Sequence, residues 1–188
     1  MTVPAELEAQ WIAGARQGDR RAFGNLVDLY RSGVINVVYR ILGDTGLAED
    51  VAQEAFIRAW VGLNRYDPGH PFRTWIYRIA INAALDASRR EASHRRKVIT
   101  DVDPTDLASL DGSPEAAYES RERARLVRKA ILDLPAASRA ALVLREYEGL
   151  SYAEISAALG VPVGTVMSRL NYARSPLRRA LAKTREEE

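Results

Sequence analysis

The stretch LPAASRAALVLREYEGLSYAEISAALGVPVGTVMSRLNYARSPLRRAL, Leu134 to Leu181, carries the sharpest local signals in the chain. Gly149, Leu150 and Ser151 interrupt a helical pattern, and Ser151 with Glu154 forms an S-x-x-E capping box that starts the next helix. Gly160 suits that helix's C-terminus, and Pro162 lies at or just before the first turn of another helix. The order is helix, tight turn, helix. At about 100° per residue, Val166, Leu170, Ala173 and Leu177 fall within about 60° of one another, with Ser168, Asn171, Tyr172 and Arg179 opposite. An apolar stripe backed by a polar, cationic face fits the recognition element of a helix-turn-helix. Thr165, Ser168, Arg169, Asn171 and Arg174 offer groups for phosphates or base edges, Arg favouring guanine and Asn adenine. The same pattern also suits a solvated helix on an ordinary bundle, and pattern alone leaves both open.

Charge supports the first reading. Net charge is only +2, but Val163 to Arg185 holds six basic residues and no acid, a block suited to a polyanion. Just upstream, Val98 to Ser120 holds six acidic residues and no Lys or Arg. Within it TDVDPTDLASLDGSP loses helical periodicity and reads as a flexible acidic linker. The ~17 residues at 98–114 stretch to roughly 55–60 Å, enough for two domains to meet one DNA more than a helical turn apart. On the N-terminal side, apolar periodicity predicts helices over Ala5–Arg16, Arg20–Leu42 and Leu47–Leu63, and one running to about Arg96. GDTG at 43–46 and RYDPGHP at 65–71 punctuate them. The expected fold is all-α, with two small helical domains: residues 1–97, a linker at 98–114, and a helix-turn-helix domain at 115–188.

Cysteine is absent, which excludes disulfides, thiolate metal sites and thiol catalysis, and a reducing cytoplasm fits. The N-terminus lacks a basic start and an apolar core, and no run approaches the ~20 apolar residues of a membrane span, so no membrane insertion is expected. His70 and His94 are far apart, without metal-ligand spacing, and no Gly-rich phosphate loop or catalytic constellation is present. No metal, nucleotide or other cofactor is expected.

Two N-terminal helices carry unusual faces. In the helix from Leu47, the stripe Ala52, Phe56, Ala59 and Leu63 is complete, yet Asp50, Gln53, Glu54, Ile57 and Val61 lie toward the far side. Such a mixed surface suits a basic partner helix, or else another helix of the same domain buries Ile57 and Val61. In the helix from Phe72, where Phe72, Ile76, Ile79 and Ala83 face the core, Trp75, Arg78, Asn82 and Arg89 form a flanking stripe, with Arg90, Arg95, Arg96 and Lys97 extending the charge. Aromatic, guanidinium and amide groups together suit single-stranded DNA, while a core-edge Trp beside solvated arginines fits the same letters.

Together, AEDVAQEAFIRAW at 48–60, FRTWIYRIAINAALDASRR at 72–90 and GTVMSRLNYAR at 164–174 resemble the extracytoplasmic-function group of bacterial RNA polymerase sigma factors, over most of the chain. The resemblance implies a cytoplasmic, non-enzymatic subunit that gives core polymerase its promoter specificity. It implies that Asp50, Gln53, Glu54 and Ile57 dock on the coiled coil of the polymerase β′ subunit. It further implies that Trp75, Arg78, Asn82, Arg89 and Arg90, with the loop at Asn64–Pro71, melt and read the minus-ten element as single strand, Asn82 holding the place of a base-contacting family Asn. Thr165, Ser168, Arg169, Asn171 and Arg174 would read the minus-thirty-five element in duplex DNA. An anti-sigma factor is the usual family partner, and the regulon a stress or envelope response. Met167 and Tyr172 stand where the family commonly has basic residues, and Pro176 predicts a kink or an early helix end near Ser175. The alternatives are a stand-alone helix-turn-helix regulator and a nucleic-acid-processing enzyme, the latter without an acid cluster or nucleophile to support it.

Overall fold

A computed structural model describes residues 3–95 and 114–186, and every regular element among them is helical. The N-terminal domain comprises α1 (Ala5–Arg16), α2 (Arg20–Leu42), α3 (Thr45–Gly62), a 3-10 turn (Leu63–Arg65) and α4 (Phe72–Arg95). The C-terminal domain comprises α5 (Pro114–Leu132), α6 (Ala136–Glu146), α7 (Tyr152–Leu159) and α8 (Val163–Glu186). The acidic stretch read as a linker falls outside the described residues up to Pro114, as do Arg96 and Lys97.

Helix ends follow from capping chemistry. The Asp19 carboxylate accepts from the Arg21 and Ala22 amides at 2.8 and 3.2 Å, satisfying donors that the first turn of α2 leaves open. Gly43, at φ 81°, closes the same helix in the left-handed region. Asp44 then accepts from the Leu47 amide at 2.7 Å and starts α3 two residues before the expected Leu47.

The first core is built from Val34, Val37, Val38 and Ile41 of α2 against a run of buried alanines on α3, namely Ala48, Ala52, Ala55 and Ala59. Small side chains there let α3 approach both α2 and α4 closely. Helix α4 differs from expectation. Phe72, Ile76 and Ala83 are buried as predicted and Ile79 is only partly so, but a second buried arc, Tyr77, Ile81 and Ala84, lies about 80–140° around from Ile76. Helices α6 and α7 of the second domain pack on α4, as does α2 of its own domain, and the Tyr77 phenol donates to Glu148 in the turn between α6 and α7. The α2 C-terminus joins the same contact: Arg139 donates to the carbonyls of Ile41, Leu132 and Leu134. Arg128 donates to the Gly43 carbonyl at 3.0 Å.

Helix α8 runs without interruption through Pro176, so the expected early end near Ser175 does not occur. The missing hydrogen bond and ring clash cost on the order of 3 kcal/mol. Against this, Val166, Leu170 and Ala173 are buried and Leu177, one residue past the proline, packs on the core. At about 1.5–3 kcal/mol for each large apolar side chain buried, that stripe outweighs the local penalty.

Candidate polymerase and nucleic-acid interfaces

On α3 the mixed face is uncovered within the chain. Asp50 and Gln53 are exposed, Ile57 is 57% exposed and Val61 77%. No helix of the N-terminal domain buries Ile57 or Val61, which settles the alternative that their pattern left open. Between α2 and α3 lies an open groove of about 590 Å³, with Asp50, Gln53 and Ile57 on one wall and Arg31 and Ile35 on the other. Phe23 and Trp60, ring centroids 5.0 Å apart, form its end. Glu54 faces a different way. It pairs with Arg58 at 2.6 Å and lines a second groove, toward α4, together with Asp50, Arg90 and Glu91. Asp50 belongs to both grooves, so the four residues form a ridge rather than a single pocket. The aromatic groove end was missed in the sequence because Phe23 and Trp60 sit on different helices.

The α4 stripe is brought together in part. Arg78, Asn82 and Arg89 are exposed and Trp75 is half-buried, all within about 60° on one side of the helix. Arg90 stands about 100° away beside Asp50 and Glu54. Arg89 is ion-paired with Asp86, an exposed contact that leaves its guanidinium tethered at the edge of the stripe. Trp75 has a structural role as well: its ring lies 5.3 Å from Tyr66 and 5.4 Å from Phe72. Tyr66 in turn donates its phenol to the His70 carbonyl at 2.6 Å, and Asp67 accepts from the Gly69 amide at 2.9 Å. The loop before α4 is thus folded over its own aromatic anchor, with Asn64, Arg65 and His70 exposed around it. Tyr66 was not singled out, although its spacing from Phe72 and Trp75 signals the cluster.

The helix-turn-helix forms as read. The Glu154 amide donates to Ser151 Oγ at 3.2 Å and the Ser151 amide to Glu154 Oε2 at 2.8 Å, completing the capping box. The Ser151 hydroxyl and backbone hold the Glu154 carboxyl below its ordinary range, so this cap is fully present at neutral pH and weakens as acid protonates Glu154. Gly160, at φ 63°, makes the turn, and the Pro162 carbonyl accepts from Thr165 and Val166 at the head of α8. Ser168, Asn171 and Arg174 are exposed, whereas Thr165 and Arg169 are half-buried at the margin. Ser168 donates its hydroxyl to the Thr165 carbonyl at 2.9 Å, which leaves the oxygen free to accept. Met167 and Tyr172, 49% and 58% exposed, share the outward side and dilute its charge.

Two helical domains, one presenting an acidic-apolar ridge and the other a basic helix-turn-helix, define a DNA-binding protein equipped to hold a second macromolecule. Residues 26–94 match the sigma-70 region 2 family and residues 124–183 the sigma-70 region 4 family. The chain is 37% identical over 179 residues to the ECF sigma factor SigW of Bacillus subtilis, spanning 90% of this chain and 94% of SigW. It is 39% identical over 184 residues to the sigma-H factor of Pseudomonas aeruginosa, spanning 94% of each. To the sigma-E factor of Escherichia coli K12 it is 38% identical over 174 residues, 88% of this chain and 90% of that one. CnrH, solved in complex with the cytosolic domain of CnrY, superposes with a TM-score of 0.66 at 26% identity over 94% of this chain and 98% of CnrH. The sigma factor RpoE of Bartonella quintana, solved with the anti-sigma factor NepR, shares the fold with a TM-score of 0.67 at 24% identity over 85% of this chain and 96% of that one. The chain belongs to the extracytoplasmic-function RNA polymerase sigma factors, the subunits that direct transcription initiation. Members of this family are not enzymes, and no helix among the described residues is long and apolar enough to cross a membrane.

Proposed function

We propose that the chain acts in the cytoplasm as a non-catalytic initiation subunit, built from domains at residues 1–97 and 115–188, that serves a stress or envelope regulon. Asp50, Gln53, Glu54 and Ile57 seat the β′ coiled coil, with the Phe23–Trp60 groove end beside them. Trp75, Arg78 and Asn82, flanked by Arg89 and Arg90, hold the melted minus-ten strand. Stacking on aromatic or guanidinium planes and capture of a base edge by the amide offset the few kcal/mol lost per unstacked base. The outward side of α8, through Thr165, Ser168, Arg169, Asn171 and Arg174, reads the minus-thirty-five duplex. The observation that carries this reading is the α3 ridge: large apolar and acidic side chains left uncovered on a helix whose core stripe is already complete. CnrH and RpoE were each solved with a protein partner, and an anti-sigma factor covering the same ridge is the corresponding partner here.

The duplex-reading part is tested by salt. For polymerase carrying Arg174→Ala, promoter affinity falls and the slope of log affinity against log salt concentration drops by about one, because one phosphate contact is lost. Equal slopes for the wild-type and substituted holoenzymes remove Arg174 from the phosphate contacts. Arg174 lies only 3.5 Å from the Asn171 amide oxygen in an exposed setting, so its loss leaves the fold intact.

A further inference from the structure

Helix α8 carries a face that hydrogen bonding to DNA does not fully use. Val163, Met167, Asn171, Arg174 and Arg178 fall within about 80° of one another, along one flank of the side turned away from the buried Val166, Leu170 and Ala173. All five are exposed. The face changes character along its length. Its N-terminal end is apolar, with Val163 41% and Met167 49% exposed, its middle carries the Asn171 amide, and its C-terminal end carries two guanidinium groups.

Single apolar side chains are ordinary on a protein surface. Val163 and Met167 are instead neighbours, four residues apart on one face, and they stand at the head of the recognition helix, where side chains meet base edges. The guanidinium groups further on suit phosphates. Beside the apolar pair is Gly164, where a Cβ would meet nothing within 4 Å. The head of α8 is therefore bare, its backbone can approach the groove closely, and the long unbranched Met167 side chain reaches past it.

The major groove offers one apolar group that carries sequence, the C5 methyl of thymine. A thioether is only a weak acceptor and gives no hydrogen bond. Set against the cytosine amino group or the guanine acceptors, it would strip water from a polar edge without replacing it. Against a thymine methyl it removes apolar surface from water on both sides.

We infer that Met167 is a specificity-determining residue of the minus-thirty-five site, seated on the C5 methyl of a thymine, with Val163 extending the apolar contact. The inference rests on the sigma reading above and deepens it. Asn171, four residues on and about 6 Å along the helix, pairs best with adenine. At about 3.4 Å per base pair, the thymine lies within about two pairs of that adenine. This part of the upstream element is set by A·T pairs.

Deoxyuridine differs from thymine only in lacking the C5 methyl, so it reads the contact directly. Holoenzyme assembled from core polymerase and the full chain first selects promoters from a randomised library, and thymines of the upstream block are then replaced by deoxyuridine one at a time. With the wild-type chain, one replacement should lower promoter affinity by about fourfold, the effect of one buried methyl-sized group. With Met167→Ala, too short to reach, the same replacement should have no effect, which separates the contact from any change in the DNA alone. Selection repeated with Met167→Arg should exchange that thymine for guanine. An upstream block without a methyl-sensitive thymine, or equal sensitivity with Met167→Ala, overturns the assignment and leaves the sigma reading standing. Weaker association of the Met167→Ala chain with core polymerase in the absence of DNA, at an unchanged melting temperature, gives the apolar pair to a protein contact and overturns it too. A chain with which core polymerase selects no upstream block contradicts the sigma reading and the inference together.

Discussion

Reversing both ridge acids, Asp50→Lys with Glu54→Lys, should abolish stable association with core polymerase, raising the apparent dissociation constant by about a hundredfold or more. Close interfacial charge pairs couple by roughly 1.5–7 kcal/mol, and a reversal replaces attraction with repulsion. Even the low end, summed over two sites, gives about 3 kcal/mol, or about a hundredfold. The fold should tolerate the change. Asp50 is exposed, and Glu54 gives up only its surface pair with Arg58, a kind of contact contributing about 0.2–1 kcal/mol. Co-purification and a thermal melt, measured side by side, separate lost docking from lost folding. Undiminished association at an unchanged melting temperature would take the docking role away from this ridge.

Asn82→Ala should impair strand opening by ten- to a hundredfold while leaving duplex capture by the C-terminal domain in place. The amide is exposed and beside Trp75 and Arg78, and a good amide contact with a base edge contributes about 1–3 kcal/mol. Because Asn82 supports no packing, its removal should shift stability by less than about 0.5 kcal/mol. Permanganate footprinting of the polymerase-promoter complex reads the opened bases directly. Equal reactivity in the wild-type and Asn82→Ala complexes would remove Asn82 from the strand-reading site.

The parts of the fold that local chemistry controls were legible in the letters. Asp19 and Gly43 delimit α2 at the residues expected, and the Ser151–Glu154 box with Gly160 delimits the helix-turn-helix, because caps and left-handed turns act within a few residues. Periodicity likewise exposed the α3 ridge and the α4 stripe. What was missed depends on partners distant in the chain. Tyr77 and Ile81 read as ordinary helix positions, and the Glu148 carboxylate that accepts from Tyr77 and Arg73 lies 71 and 75 residues away from them in sequence. Pro176 failed as a helix stop for a related reason, since its cost is local while the apolar stripe that outweighs it is tertiary. Of the site residues, Arg90 fits its assigned group least well: its charge belongs to the right helix, but a turn of about 100° sets it beside the docking ridge.

Transcription from a reconstituted system tests the central claim most directly. Core polymerase free of other sigma factors is combined with the purified chain and a randomised promoter library, and start sites are mapped from the transcripts. Initiation that depends on the chain, from templates sharing two sequence blocks about 25 base pairs apart, is the result expected. Transcripts no different from those of core polymerase alone, together with tight binding of the free chain to a palindromic duplex, would contradict the account and identify a stand-alone dimeric regulator instead.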